Sequence, residues 1–221
     1  MDVVIFGVGL SARLAAYVLA NDSGHRPVAY TVHERFIEQA EFAGLPVQRF
    51  EDLERTHPPE QVGMLAPLGW ARMGALRQEI LAAGKARGYR FVNYVSSRAL
   101  TWPTFTAGEN CMIFEGATIE PFARVGENCI VRAGASLSHD VELGDHCFVA
   151  PRAAIGGRVS IGANCVIGAN STIANGISIA ARCFIAAGAV VTADTQPDGI
   201  YRGNPARRSP VTVDNFRKLR R

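Results

Sequence analysis

The stretch GDHCFVAPRAAIGGRVSIGANCVIGAN, residues 144–170, carries two of the chain's five cysteines, Cys147 and Cys165, eighteen positions apart. Cys111, Cys129 and Cys183 extend the same interval in both directions. A finer ruler runs inside this one. Every sixth residue from Ile113 to Val191 is Ile, Val or Leu, fourteen positions without an insertion, including Val149, Ile155, Ile161 and Ile167 here. The residue two before each is small or medium, and the one after is often Gly or Ala, as at Gly144, Gly156, Gly162 and Gly168. A helix of 3.6 residues per turn scatters a period of six around its axis. Short strands satisfy it, because positions i−2 and i share one strand face and a turn can follow each strand. The pattern is the hexapeptide signature of a parallel β-helix.

Three six-residue sides make one eighteen-residue coil, so residues eighteen apart stack on neighbouring rungs about 4.8 Å apart. The five thiols then form an internal column filling one corner of a triangular prism, where they act as small apolar groups rather than nucleophiles. The residues preceding them are Asn110, Asn128, His146, Asn164 and Arg182. Asn suits a turn that needs left-handed φ, and a turn role accounts for His146 without chemistry.

The 221 residues are 48% hydrophobic, enough for a buried core. No secretory leader opens the chain and no run of about eighteen apolar residues occurs, so no membrane span is expected. A net charge of +3 does not argue for a nucleic-acid partner. The odd number of cysteines, with none in the first hundred residues, is unlike a secreted disulfide framework. The basic run NFRKLRR, residues 215–221, is open to two readings, a solvated tail or a contact for phosphate or an acidic partner.

The N-terminal part reads differently. MDVVIF is a strand, GVGLSA a glycine turn and the residues to 22 a helix. Gly7, Gly9 and Ala12 make a G-x-G-x-x-A fingerprint, in which the glycines let the backbone approach a phosphate at a helix N-terminus. PVAYTV, GMLAPLG and YRFVNYV read as further strands, and residues 71–88 as an amphipathic helix. Alternating strands and helices predict a small parallel α/β domain over residues 1–97, with the β-helix over 98–221. A hundred residues is short for a full dinucleotide fold, and Glu34 is the one acid where a ribose-binding acid belongs. A half-Rossmann unit holding one nucleotide fits better.

A half-Rossmann unit followed by a hexapeptide β-helix that closes in GNPARR, residues 203–208, resembles the bacterial sugar acyltransferases of the sialic acid O-acetyltransferase and nucleotide-amino-sugar N-acetyltransferase group. The resemblance implies a left-handed β-helix and a cytoplasmic homotrimer that binds acetyl-CoA between adjacent helices, with no metal. It assigns Gly7, Gly9, Leu10, Ser11 and Ala12, with His33 and Gly69, to a nucleotide-linked sugar. Within SLSHDVELGDHCFVAP it assigns His139 as general base and Asp140 as its partner, Asp145 being an alternative. Neutral imidazole suits proton removal near pH 7, and a carboxylate fixes its tautomer. Gly157, one rung from His139, corresponds to the glycine whose backbone N–H contacts the thioester carbonyl. CoA contacts are expected at Gly157, Asn175, Ala187, Pro205 and Arg207. Departures from the pattern are Phe148, where some relatives carry a second histidine, and Val32 and His33, where UDP-sugar binders have acids.

The expected activity is N-acetylation of a nucleotide-linked amino sugar by direct attack on acetyl-CoA. A sugar O-acetyltransferase is the nearest alternative, since the same base serves a hydroxyl. A non-catalytic assembly module is a further one. A zinc hydratase needs about three histidines, whereas the β-helix offers His139 and His146. A nicotinamide oxidoreductase leaves the β-helix unexplained.

Overall fold

A computed structural model describes residues 1–215 of the chain. Residues 216–221, which hold most of the basic run, lie outside the described residues.

The first element is strand β1 (Asp2–Phe6), followed by helix α1 (Leu10–Asn21), β2 (Arg26–Val32), β3 (Glu41–Phe42), β4 (Leu45–Arg49), β5 (Gly63–Leu65) and helix α2 (Ala75–Ala86). The sheet order is β3-β4-β2-β1-β5, parallel except for the β3–β4 pair. β1 is apolar throughout because both its faces are covered, as buried parallel strands require. Val3 and Ile5 pack with Ala12, Ala15 and Leu19 of α1, while Val4 and Phe6 pack with Ile80 and Leu81 of α2. β1 feeds β2 on one side and lies beside β5 on the other, so the topological switch point is at the carboxyl ends of β1 and β5.

Two expected elements differ. The helix predicted over 71–88 begins at Ala75, because Arg72, Met73 and Gly74 take positive φ. That detour buries Met73 against Val166 and Ile200 of the β-helix. The strand predicted in YRFVNYV does not join the N-terminal sheet. Phe91 makes one bridge to Met64, and Tyr94–Val95 instead pairs with Met112–Ile113.

From Tyr94 onward the chain is a three-sided parallel β-helix. Every coil-to-coil strand pairing from Tyr94 to Val191 is offset by eighteen residues, as in Ile130↔Phe148, Ser136↔Ala154 and Glu142↔Ser160. From Asn110 to Gly188 one left-handed residue stands at each corner. Asn110, Asn128, His146, Asn164 and Arg182 occupy the first corner, between the third and first faces, with φ of 57–62°. The cysteines beside them are fully buried and unoxidised. Each thiol donates to a carbonyl of the next coil, as Cys147 Sγ does to Gly162 O at 3.2 Å. Asn93 Oδ1 closes the column below Cys111, accepting its N–H at 2.8 Å.

The outward columns explain how the two parts join. The first face carries Met112, Ile130, Phe148, Val166 and Phe184, whereas the third carries Arg124, Glu142, Ser160 and Ser178. An apolar outer column needs a cover, and the N-terminal domain supplies it. Arg77 of α2, fully buried, bolts the two together. Its guanidinium donates to Asn128 O (2.9 Å), Leu68 O (2.7 Å), Gly69 O (2.8 Å), His146 O (2.9 Å) and Cys147 O (3.3 Å). Five carbonyl dipoles thereby offset the burial that lowers its pKa. The corner amides add to this seam: Asn110 Oδ1 accepts the Ala66 N–H at 2.8 Å, and Asn110 Nδ2 donates to Asn128 Oδ1 at 2.7 Å.

Candidate active site

The third corner, between the second and third faces, stacks Pro121, His139, Gly157 and Asn175 on successive rungs. The backbone ladder leaves this position's N–H pointing outward, and each rung treats it differently. Pro121 has none. His139 N–H donates to Glu120 Oε2 at 2.8 Å, and Gly157 N–H to Asn175 Oδ1 at 3.0 Å. Asp140 follows His139 in the left-handed conformation (φ 58°), which turns its carboxylate back to His139 Nδ1 at 2.9 Å. A carboxylate accepts only, so Nδ1 carries the proton and Nε2 of the neutral ring carries the lone pair. Both side chains are about half exposed, 55% and 51%. The imidazole lies over Gly157, where an added Cβ would come within 2.6 Å of Nε2. Glycine at this position is therefore a requirement of the ring beside it.

Asp145 and His146 belong to the first corner. Asp145 Oδ1 accepts the Glu127 N–H at 2.8 Å, and His146 Nδ1 meets Asn128 Nδ2 at 2.9 Å. Burial holds the His146 pKa below its usual value, so the neutral ring accepts from the amide. His146 is thus a link in the domain seam. Among the described residues no group of three His, Cys, Asp or Glu side chains is placed to hold a metal, and no helix is long and apolar enough to cross a membrane.

A second feature lies at the switch point. A cleft of about 520 Å³ is bounded by Leu10, Ser11 and Leu14 of α1, by Pro67, Gly69 and Trp70, and by the first face and second corner of the β-helix. Leu10, Ser11 and Gly69 of the expected sugar-nucleotide residues line it. Gly7 (φ +118°) forms the turn behind it and donates its N–H to Thr31 O at 2.8 Å, with Ala12 buried against it. No atom lies within 4 Å of where a Cβ would stand on Gly9 or Gly69. His33 does not line the cleft; it bonds Glu51 at 2.8 Å and packs edge-on to Phe6 and Phe50. Arg132, whose guanidinium stands 4.0 Å from the Phe114 ring centre, also lines the cleft and was not anticipated from sequence. Its signal was the apolar outer column that surrounds it.

Of the expected CoA contacts, Asn175 shares the His139 corner, and Ala187 stands on the second corner. Pro205 and Arg207 belong to the exit from the last coil, where Asn204–Pro205 is cis and Arg207–Arg208 returns antiparallel to Ile200–Arg202.

The hexapeptide repeat of succinyl-transferase matches residues 158–193, and the bacterial transferase hexapeptide of six repeats matches residues 123–157 and 140–175. Together these matches span residues 123–193, within the coils of the β-helix. No curated protein matches the chain. Solved structures do. PerB from Caulobacter crescentus, in complex with CoA and GDP-perosamine, is 24% identical over 95% of this chain and 97% of that one, with a TM-score of 0.84. The acetyltransferase domain of PglB from Neisseria gonorrhoeae is 20% identical over 94% and 99%, with a TM-score of 0.82. A perosamine N-acetyltransferase from Caulobacter crescentus with one histidine replaced by asparagine, again with CoA and GDP-perosamine, is 22% identical over 96% and 98%, with a TM-score of 0.86. At these identities the likeness is one of fold, an α/β domain followed by a left-handed β-helix.

Proposed function

We propose that the protein transfers the acetyl group of acetyl-CoA to the amine of a nucleotide-linked sugar, with His139 as general base. The observation that carries this reading is the half-exposed His139–Asp140 pair standing over Gly157 on an outer corner, with Nδ1 facing the carboxylate at 2.9 Å. The acceptor nitrogen attacks the thioester carbonyl carbon, and His139 Nε2 takes its proton. Asp140 stabilises the imidazolium that forms. Collapse of the intermediate breaks the C–S bond, and the imidazolium returns the proton to the departing thiolate. Similar folds solved with CoA and an amino-sugar nucleotide support the substrate class, and one of them is named an N-acetyltransferase, which favours an amine over a hydroxyl. The cleft at the switch point, with an open position at Gly69 and the first turn of α1 on its wall, suits the nucleotide.

Within one chain the cleft faces the first face and second corner, while His139 is on the third corner. A homotrimer in which the third corner of one copy meets the cleft side of the next closes that gap, and a groove so formed accommodates CoA along Asn175 and, from the other copy, Ala187. Five free buried thiols suit a reducing compartment, so the site of action is the cytoplasm. The test is CoA release from acetyl-CoA in the presence of nucleotide-linked amino sugars, GDP-perosamine among them. His139→Ala lowers turnover by about 10²–10⁴-fold. Full turnover in that variant removes His139 as the base.

A further inference from the structure

The tetrahedral intermediate needs a donor for its oxygen, and the backbone group expected to supply it is occupied. Gly157 N–H points into Asn175 Oδ1 at 3.0 Å. Two side chains converge on the Gly156–Gly157 pair from opposite rungs. A Cβ on Gly156 would meet Asn175 Oδ1 at 2.3 Å, and one on Gly157 would meet His139 Nε2 at 2.6 Å. Both glycines are therefore explained by what they make room for. The amide of Asn175 is held by its oxygen beside the same dipeptide over which the His139 imidazole lies. Its Nδ2 has two N–H groups with no partner among the described residues, and the residue is exposed on the corner.

We propose that Asn175 Nδ2 donates to the thioester oxygen and stabilises the oxyanion, a role that rests on the acyl-transfer reading above. The first corner shows why an amide, rather than any capping residue, stands here. Asp145 performs the same stitch, accepting the Glu127 N–H at 2.8 Å, and a Cβ on Gly126 would meet its Oδ1 at 2.3 Å. A carboxylate thus suffices to cap a corner N–H. What Asn adds at position 175 is a pair of donors in place of a negative charge, at the corner where negative charge would develop. During the reaction the new C–N bond shifts the carbonyl π pair onto oxygen, and His139 Nε2 holds the proton from the amine. Nδ2 bonds that oxygen until the C=O re-forms, the C–S bond breaks and the thiolate takes the proton. Donors fixed before the charge appears need no reorganisation when it does.

Two variants separate the possibilities. Asn175→Asp keeps an acceptor for Gly157 N–H and replaces the donors with charge; Asn175→Ala frees Gly157 N–H. Steady-state kinetics with acetyl-CoA and GDP-perosamine are run alongside thermal unfolding. The expected result is a fall in kcat of about 10²–10³-fold in each variant, with unfolding of Asn175→Asp close to that of the parent protein. Near-parental kcat in Asn175→Asp reduces Asn175 to a stitch, and unchanged or raised kcat in Asn175→Ala gives the oxyanion to Gly157 N–H. Either outcome overturns the proposal. His139→Ala assayed in parallel locates a failure: if it too keeps full turnover, the base assignment has failed, whereas if it alone is inactive, only the role of Asn175 has.

Discussion

Gly157→Ala adds one carbon where the imidazole already stands, within 2.6 Å of Nε2 and 2.7 Å of Cε1 of His139. Gly157 is not among the residues with positive φ, so alanine meets no backbone strain there and the substitution reads the displaced ring alone. Moving a catalytic group by about 1 Å costs up to about 10²-fold in rate. The expected outcome is a fall in kcat of that order with thermal unfolding nearly unchanged, measured on the same preparation; an unaltered kcat would mean the ring's position over Gly157 is irrelevant to turnover. Gly157 was legible in the sequence because eighteen-residue stacking puts it one rung from His139. Glu120 and the bond from Gly157 to Asn175 were not. Both are side-chain bonds to outward N–H groups across rungs, and they depend on rotamers that periodicity does not encode.

The coil itself was legible wherever its inward column is aliphatic, from Ile113 to Val191. It was illegible below that, where Thr101 stands opposite Ile119 and Asn93 replaces a cysteine, although the pairing continues to Tyr94–Val95. Helix α2 lost its expected first turn to tertiary packing, because docking Met73 outweighed local helical preference. The first-corner column yields a pH prediction. His146 accepts from Asn128 Nδ2, and burial lowers its pKa, outweighing the opposing effects of Asp145, Glu127 and Cys129, with a still smaller lowering by the Arg77 charge. A base with a depressed folded pKa binds its proton more readily when unfolded. Its contribution to stability is therefore complete above the unfolded value of about 6.5 and declines as pH falls below it, until the lower folded pKa is passed. His146→Asn continues the amide ladder already formed by Asn110 and Asn128, in a left-handed position that Asn tolerates. The variant is expected to match the parent protein near neutral pH and to lose less stability below about pH 6.5, the slope differing by at most about 1.4 kcal/mol per pH unit. Thermal unfolding across that range checks it, and His25 and His57, also held low by burial, titrate in both proteins alike.

At the scale of the whole molecule, the N-terminal domain is pinned to the first face by Arg77 and by the pairs Lys85–Glu109 and Lys85–Glu127, at 2.9 and 2.7 Å. A cleft so fixed cannot swing a bound substrate around the prism to the third corner of its own chain. On the reading proposed above, two chains are then needed for one turnover, and this can be measured directly. Ser11→Trp fills the cleft from the exposed first turn of α1 and leaves the third corner untouched. His139→Ala leaves the cleft untouched and removes the proposed base. Each variant alone is expected to be inactive. Co-expressed with different affinity tags and purified through both, the mixed assemblies pair an intact cleft from one copy with an intact His139 from its neighbour, and a fraction of the parental activity returns. If doubly tagged assemblies form and remain inactive, cleft and base belong to the same chain, and the arrangement of third corner against neighbouring cleft is wrong.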